Sequence, residues 1–247
     1  MARKQQSVAA ETLDEIQGSA DRFAEWIHEN MTLVFGGIAT LLVVSGVGAW
    51  VSSAGDASEL EASTELHEAK SRFLKAMGTS FGALEIPELA NPAAAEQIRA
   101  DYVAELEGIS EAYAGTTAEF LAQLQVGYLD HRDGKLEEAL ATYDALARAG
   151  GQPEALLGLA IQRAGQVLED LGRWDEAAAR HEEAAALENF PLRYWALADA
   201  ARALVEAGEL ELALAHYARI EDEAPEVRLP DAQRAAAREL KALQGGA

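Results

Sequence analysis

The stretch GRWDEAAARH, residues 172–181, brings an arginine, an aspartate, a glutamate and a histidine together within ten positions. Carboxylates and imidazoles are common proton-transfer groups in active sites, so the stretch raises the question of acid–base catalysis. Two related stretches, GKLEEALATY at 134–143 and GELELALAHY at 208–217, keep the glycine and the alanine, but both have a tyrosine at the position of the histidine. This recurrence favours a packing motif over a catalytic cluster.

The glycines that open the three stretches are separated by 38 and 36 residues. Each glycine is followed by a large apolar residue, then by an alanine, and then by a tyrosine or a histidine at constant spacing. A further small residue stands seven positions before each glycine. A period of this length indicates structural units that stack on one another. The residues predicted to pack within and between the units are Gly127, Gly134, Ala139, Tyr143, Gly165, Gly172, Trp174, Ala177, Gly208, Ala213 and Tyr217.

This pattern resembles the tetratricopeptide repeat, a helix–turn–helix unit of about 34 residues. That repeat has a small residue in helix A, a glycine near the turn, an alanine and an aromatic residue in helix B, and a proline at its end. The resemblance places repeats at about 120–153, 158–191 and 194–225. It implies that His181 packs at the aromatic position, while the acidic residues beside it face solvent.

In tetratricopeptide repeats, helix A lines the concave face of a superhelix, so the resemblance also implies a protein-binding groove. Tyr128 and Trp195 are the predicted anchors of that groove, because large aromatic side chains dominate the energetics of interfaces. The alternative is that part of this surface packs against a C-terminal capping helix. The residues predicted to line the groove are Leu121, Leu124, Tyr128, His131, Gln162, Gln166, Glu169, Trp195, Asp199 and Arg202.

Helical patterns also flank the repeats. Glycines and prolines between residues 78 and 92 predict a loop that separates two further helices. A proline followed by an aspartate at position 231 predicts the start of the capping helix. The predicted segments are helices over 57–77 and 93–114, a linker with the first helix over 54–92, a repeat domain over 93–247, and a capping helix over 230–243.

Composition limits the possible functions. The chain of 247 residues has no cysteine, which excludes disulfides, thiolate nucleophiles and sulfur ligands for metals. Its formal net charge of −22 argues against binding to nucleic acid, whose phosphates would be repelled. After residue 55 the chain holds 36 acidic and 17 basic side chains, a net charge of −19. Alanine, leucine and glutamate are abundant, which predicts an all-α protein.

One segment near the N-terminus is strongly apolar. Residues 31–53, MTLVFGGIATLLVVSGVGAWVSS, contain no charged side chain, and Trp26 and Trp50 are placed like interfacial aromatics. At about 1.5 Å per residue, a helix of this length crosses a hydrocarbon core of about 30 Å. The sequence therefore predicts a single transmembrane signal-anchor helix after an amphipathic tail over 1–30. A buried core helix and a cleaved signal peptide are the alternatives, and the acidic leader argues against the second.

Basic residues predict how such a helix would be oriented. Arg3, Lys4 and Arg22 precede the apolar segment, and Lys70 is the first basic residue after it. Because basic residues are enriched on the cytoplasmic side, the N-terminus is expected in the cytoplasm and the repeat domain outside it.

Catalytic and metal-binding motifs are not evident. The stretch HRDGK at 131–135 is similar to part of a kinase catalytic loop, but Glu138 stands where that loop needs a magnesium-binding asparagine. The five histidines never occur at the i, i+4 spacing typical of zinc sites, and no glycine-rich nucleotide loop occurs. We therefore predict a protein without catalytic residues, metal, cofactor or small-molecule substrate.

The order of tail, apolar segment and acidic repeat domain resembles the bacterial YfgM-like family. The most similar segment is DRFAEWIHENMTLVFGGIATLLVVSGVGAWVSS, residues 21–53, with its glycine-containing apolar stretch and closing tryptophan. The resemblance implies a protein of the bacterial inner membrane whose C-terminal domain lies in the periplasm. It also implies an accessory role at the SecYEG translocon, with translocon subunits, the chaperone PpiD or unfolded secreted clients as partners.

Two other functions stay open. The chain is alternatively a structural tetratricopeptide adaptor in another envelope complex that serves secretion, motility or cell-wall synthesis. An enzyme is the third hypothesis, which a pocket with converging histidine and carboxylate side chains would favour. Copurifying partners distinguish the first two functions.

Overall fold

A computed structural model describes residues 57–79, 86 and 89–245, all of which belong to one compact unit, Gly46–Ala247. The described residues form nine α-helices and no strand. The helices are α1 (Ala57–Ala76), α2 (Pro92–Ala112), α3 (Thr117–Arg132), α4 (Leu136–Ala147), α5 (Glu154–Asp170), α6 (Trp174–Ala186), α7 (Arg193–Ala207), α8 (Leu210–Glu223) and α9 (Asp231–Gly245).

The predicted fold class needs one correction. Its all-α part agrees with the structure, but none of the helices in the described residues is long and apolar enough to cross a membrane. The fold class of the described residues is therefore corrected to an all-α array of helical hairpins without a transmembrane helix. The segment predicted to span, 31–53, and the predicted tail, 1–30, lie outside the described residues.

Successive helices pack against one another along the array. α3 pairs with α4, α5 with α6 and α7 with α8, and the second helix of each of the first two pairs also packs on the first helix of the next pair. We call α3, α5 and α7 the A helices, and α4, α6 and α8 the B helices. α5 also touches α7, so these two A helices meet directly. α1 and α2 extend the array before the first pair, because α2 packs on α3.

Glycine closes the A helices in a left-handed turn. After α5, Gly172 has a φ of +70°, which only glycine adopts without strain. The amide of Gly172 donates to the carbonyl of Glu169, and the amide of Arg173 donates to the carbonyl of Leu168. This pair of hydrogen bonds is the Schellman closure of a helix end. Gly134 and Gly208, at 79° and 88°, close α3 and α7 in the same way.

Side chains stabilise the start of α3 and the starts of the B helices in two different ways. Thr116 caps α3, because its hydroxyl oxygen accepts a hydrogen bond from the amide of Glu119 at 3.1 Å. The B helices have no side-chain cap, but acidic residues stand in the first turn of each of them. Negative charge there interacts favourably with the positive end of the helix dipole. The carboxylates of residues 175 and 176 in the initial stretch therefore belong to the start of α6.

An apolar cluster joins the first helices to the repeated pairs. The rings of Phe73 in α1 and Tyr102 in α2 are stacked, with centroids 4.3 Å apart. Leu106 of α2 and Leu129 of α3 are buried in the same cluster. The two helices before the first pair therefore share one core with α3.

Candidate functional site

Within each of the first two pairs, a glycine of the A helix lies directly against a ring of the B helix. A Cβ atom added to Gly165 would lie 2.5 Å from the His181 ring, and one added to Gly127 would lie 2.8 Å from the Tyr143 ring. Both distances are far below van der Waals contact, so the rings occupy the space that a side chain would need. In the third pair, Ala201 stands at the place of the glycine and is fully buried.

The other predicted packing residues occupy repeated places. The B-helix alanines Ala139, Ala177 and Ala213 are fully buried, Trp174 is half-buried at the start of α6, and Tyr217 is buried in α8. A fully buried alanine near the start of each B helix leaves room for the helices to approach closely. These positions are structural and place no reactive group at a surface.

His181 belongs to a buried polar network rather than to a surface cluster. Its Nε2 lies 2.9 Å from Oε1 of Glu169, and the guanidinium of Arg202 donates to both oxygens of that carboxylate at 2.6 and 2.8 Å. Glu169 thus joins α5 to α6 and to α7. Burial raises the pKa of Glu169, but the hydrogen bonds and charges of His181 and Arg202 outweigh it and hold that pKa below its ordinary value.

A second group of hydrogen bonds centres on Asp199 of α7. One of its oxygens accepts from Nε2 of Gln162 at 3.0 Å, and the other accepts from Nε2 of Gln233 in α9 at 2.9 Å. Arg202 lies 3.8 Å from the same carboxylate. Gln162 and Asp199 are both buried, at 7% and 6% exposure. These two predicted groove residues are therefore engaged inside the protein, and α9 covers one of them.

The charged residues that begin the GRWDEAAARH stretch do not converge with its histidine. The guanidinium of Arg173 makes a two-armed pair with the carboxylate of Glu176, at 2.7 and 2.5 Å, and Asp175 is exposed. Residues 172–176 line an open surface cleft together with Glu206 at the end of α7. Because His181 points into the protein, no acid–base pair with these carboxylates forms.

The side chains of the HRDGK stretch likewise form structural contacts at the end of α3. Nε2 of His131 lies 2.6 Å from the carboxylate of Asp170 in α5, and Lys135 pairs with Asp130 at 3.0 Å. Asp133 pairs with Arg99 of α2 at 3.3 Å. These side chains connect neighbouring helices, and none of them points with another at a common substrate position.

The apolar part of the predicted groove lies on α3. Tyr128 has 42% of its surface exposed, and Leu121 and Leu124 are half-buried on the same helix. In α7, Trp195 is half-buried. We call the surface formed by the predicted groove residues of α3, α5 and α7 the A-helix face. Its apolar residues remain accessible, whereas several of its polar residues bind one another.

Two tyrosine hydroxyls are buried in the B helices. The oxygens of Tyr143 and Tyr217 have no hydrogen-bond partner among the described residues. Burial raises the pKa of both phenols, for Tyr217 to about 12, so both are neutral at physiological pH. The charges of Asp130 and Arg163 act on the Tyr143 hydroxyl, and so does Tyr128, so that hydroxyl lies near the accessible part of the A-helix face. Gln166, another predicted groove residue, accepts from Arg163 at 2.9 Å.

Some contacts were not anticipated from the sequence. Phe190 packs against Gly158, where a Cβ atom would lie 2.5 Å from its ring. In the sequence, Pro191 marks the end of the repeat. The aromatic residue just before this proline is the signal that could have predicted the contact. The partners of His131 and Asp199, which are Asp170 and Gln233, have no local signal because they stand 39 and 34 residues away.

In the part of the chain that the structure describes, histidine and acidic side chains form no group of three with the geometry of a metal site. Comparison of the chain with protein-family models, with curated proteins and with solved structures finds no match. Function is therefore argued from the geometry of the A-helix face, and membership of the YfgM-like family stays a prediction.

Proposed function

We propose that this chain is a protein-binding scaffold whose A-helix face receives a segment of a partner protein. The observation that carries the proposal is the exposed ring of Tyr128 beside two half-buried leucines of α3. Tyrosine provides a large contact area at a low cost in conformational entropy, and accessible aromatic anchors dominate many interfaces. The tetratricopeptide-like repeat is the class of scaffold that this proposal assumes.

The polar half of the A-helix face supports such a role by its rigidity. Glu169 ties α5 to Arg202 of α7, and Gln162 ties α5 to Asp199. These contacts hold the two A helices at a constant separation, because each is made by buried or half-buried side chains. A surface that is already ordered loses less conformational entropy when a partner binds.

The ionisable clusters give an enzyme less support than they give a scaffold. Arg173 pairs with Glu176, and Lys135 pairs with Asp130. His181 is buried against Glu169. A general base must reach the proton that it abstracts from a bound substrate. The absence of catalysis therefore remains part of the proposal.

The particular role that we propose is accessory to the Sec translocon, on its periplasmic side. This step rests on the resemblance to the YfgM-like family and on the acidity of the domain, which disfavours nucleic acid. Translocon subunits, a PpiD-like chaperone or unfolded secreted chains would then bind the A-helix face. An adaptor in another envelope complex is the second candidate, because the same face would serve it equally well.

Site-specific photo-crosslinking in cells tests both candidates. A photoreactive residue replaces Tyr128 or Trp195, and the matched control carries it at Ala179, which is exposed on α6. We expect adducts with translocon subunits, PpiD-like chaperones or nascent secreted chains from the first two positions and not from the control. Adducts with one dedicated envelope assembly would favour the adaptor. Equal, low labelling at all three positions would reject the A-helix face as the binding surface.

A further inference from the structure

The C-terminal helix α9 packs on α7 and α8, and its contacts include a hydrogen bond, an ion pair and a buried leucine. Nε2 of Gln233 donates to Asp199 at 2.9 Å, and Lys241 pairs with Glu221 of α8. Between them in sequence, Leu240 is buried to 3% exposure. Ala236 and Ala237 are half-buried on the same side of α9, so its inner side repeats at positions i, i+3, i+4 and i+7.

These contacts determine the direction in which α9 lies. The hydroxyl of Tyr194 donates to Glu223 at 3.4 Å, so the start of α7 lies beside the end of α8. α9 begins near Asp199, in the middle of α7, and reaches Glu221 near that end. It therefore runs back along the α7–α8 pair, against the direction of α7. Between the A helices α5 and α7, by contrast, the chain passes through one B helix, α6.

The polar anchor of α9 is incompletely satisfied. Oε1 of Gln233 is buried and accepts no hydrogen bond from the described residues. The side chain of Gln233 therefore anchors α9 through its N–H donor, in a hydrogen bond to Asp199. Asp199 keeps its hydrogen bond from Gln162 and its proximity to Arg202 when α9 is absent. The α7–α8 pair therefore does not depend on α9 to satisfy this carboxylate.

α9 also differs in charge from the rest of the chain after residue 55. α9 contains three basic and two acidic side chains, whereas the chain after residue 55 has a net charge of −19. Two of the side chains that α9 contacts through polar atoms, Asp199 and Glu221, are carboxylates. The surface beneath α9 is thus suited to a helix that carries hydrogen-bond donors and positive charge.

We propose that the surface beneath α9 is a docking site for a basic amphipathic helix of a partner protein, and that α9 is an internal occupant that this helix replaces. The partner helix would present an amide donor to Asp199, small residues on the following turn, a leucine seven positions after the amide, and a basic residue next to it for Glu221. This inference goes beyond the proposed function, because the surface beneath α9 shares Asp199 with the A-helix face but continues onto α8.

The test uses the full-length chain and a labelled synthetic peptide with the sequence of residues 229–245 as the probe. Gln233→Ala in the chain weakens the internal occupant but leaves the surface beneath it unchanged. Loss of one hydrogen bond corresponds to a change in affinity of about three- to tenfold. We therefore expect the peptide to bind the Gln233→Ala chain about fivefold more tightly than the unchanged chain. Arg238→Ala, on the exposed side of α9, is the matched control and should leave the affinity unchanged.

Hydrogen exchange provides the second measurement. Added peptide should increase exchange at the amides of α9 while exchange in α7 stays the same. Equal peptide affinity of the Gln233→Ala chain and the unchanged chain would overturn the proposal, and so would a Gln233→Ala chain that fails to fold. If the peptide displaces α9 but crosslinking at Tyr128 and Trp195 captures no protein, the proposed function fails and the docking surface stands.

Discussion

The contact between Gly165 and His181 leaves no space for a side chain on the glycine. We predict that Gly165→Ala destabilises the protein, because a Cβ atom would lie 2.5 Å from a ring that is itself fully buried. Overpacking of this kind costs about 1–3 kcal/mol of unfolding free energy. Urea unfolding followed by circular dichroism measures the change.

Gly108 of α2 offers a matched control, because nothing lies within 4 Å of the Cβ position there. Gly108→Ala should raise the unfolding free energy by up to about 1 kcal/mol, since alanine is the better helix former. A similar effect of the two substitutions would show that His181 moves aside at little cost.

The carboxylate of Glu169 gives the protein a defined response to acid. Its folded-state pKa is below the ordinary value of 4.5. Its contribution to stability is therefore complete above about pH 4.5 and is lost as the pH falls through the folded-state pKa. We predict that Glu169→Gln lowers the unfolding free energy at pH 7 by about 2 kcal/mol, because His181 and Arg202 lose a charged partner.

Urea unfolding at a series of pH values checks this prediction. The difference between Glu169→Gln and the unchanged chain should shrink as the pH falls below 4.5, since protonation then removes the same charge. Glu176→Gln is the control, because Glu176 is exposed and also pairs with an arginine. It should lower the unfolding free energy at pH 7 much less than Glu169→Gln does, because water and salt screen its exposed charge. A pH-independent difference would show that Glu169 acts through packing alone.

Single residues show where interpretation of the sequence was informative and where it was not. The spacing of Gly165 and His181 was visible as a pattern, because their contact lies within one helical pair. The burial of Gln162 and Asp199 was not, although both were named for the groove. Gln162 donates to Asp199, which stands 37 residues later, and Asp199 also accepts from Gln233, which stands 34 residues after it. Contacts between distant elements leave no periodic signal in the chain.

At the scale of elements, the left-handed turns between paired helices depend on glycine. We predict that Gly172→Ala lowers the unfolding free energy by about 1–2 kcal/mol, because alanine at a φ of +70° is strained. Gly150→Ala is the control, since Gly150 has no positive φ and nothing within 4 Å of its Cβ position. Thermal and urea unfolding measure both variants. Equal effects would mean that the turn relaxes to a conformation that alanine accepts.

Element types were predictable because several local signals agree. Alanine-rich composition, glycine at the turns and proline near the helix starts all indicate helices, and the described residues are helical at those places. The direction of α9 was not predictable, because Pro230 marks only where that helix starts. The polar contacts of Gln233 and Lys241 determine how it lies.

At the scale of the whole described array, neighbour contacts determine how destabilisation spreads. Polar contacts connect equivalent helices of successive pairs. Arg180 of α6 pairs with Asp144 of α4 at 2.7 Å, and Nε2 of His216 in α8 lies 2.7 Å from the carboxylate of Glu182 in α6. These pairs are partly exposed, so each is expected to contribute little by itself. The apolar contacts between adjacent helices therefore carry most of the coupling along the array.

Such nearest-neighbour coupling predicts a local response to a mutation in the core. Leu129 of α3 is buried in the cluster that joins α1 and α2 to the first pair. Leu129→Ala should destabilise that end by about 2–5 kcal/mol, because it removes buried methyl groups and leaves a cavity. In a stacked array each unit contacts only its neighbours, so the effect should decline with distance along the chain.

Hydrogen exchange resolves this decline residue by residue. We expect faster exchange in α2, α3 and α4 of the Leu129→Ala chain, and little change in α7 and α8, which are separated from α3 in the described array by the α5–α6 pair. Ile220→Ala, which truncates a buried side chain of α8, is the converse variant and should affect α7 and α8 first. Uniform acceleration along the whole array by either substitution would mean that the described helices unfold as one cooperative unit. The A-helix face would then order and disorder as a whole, and a partner bound at Tyr128 would stabilise the surface beneath α9 as well.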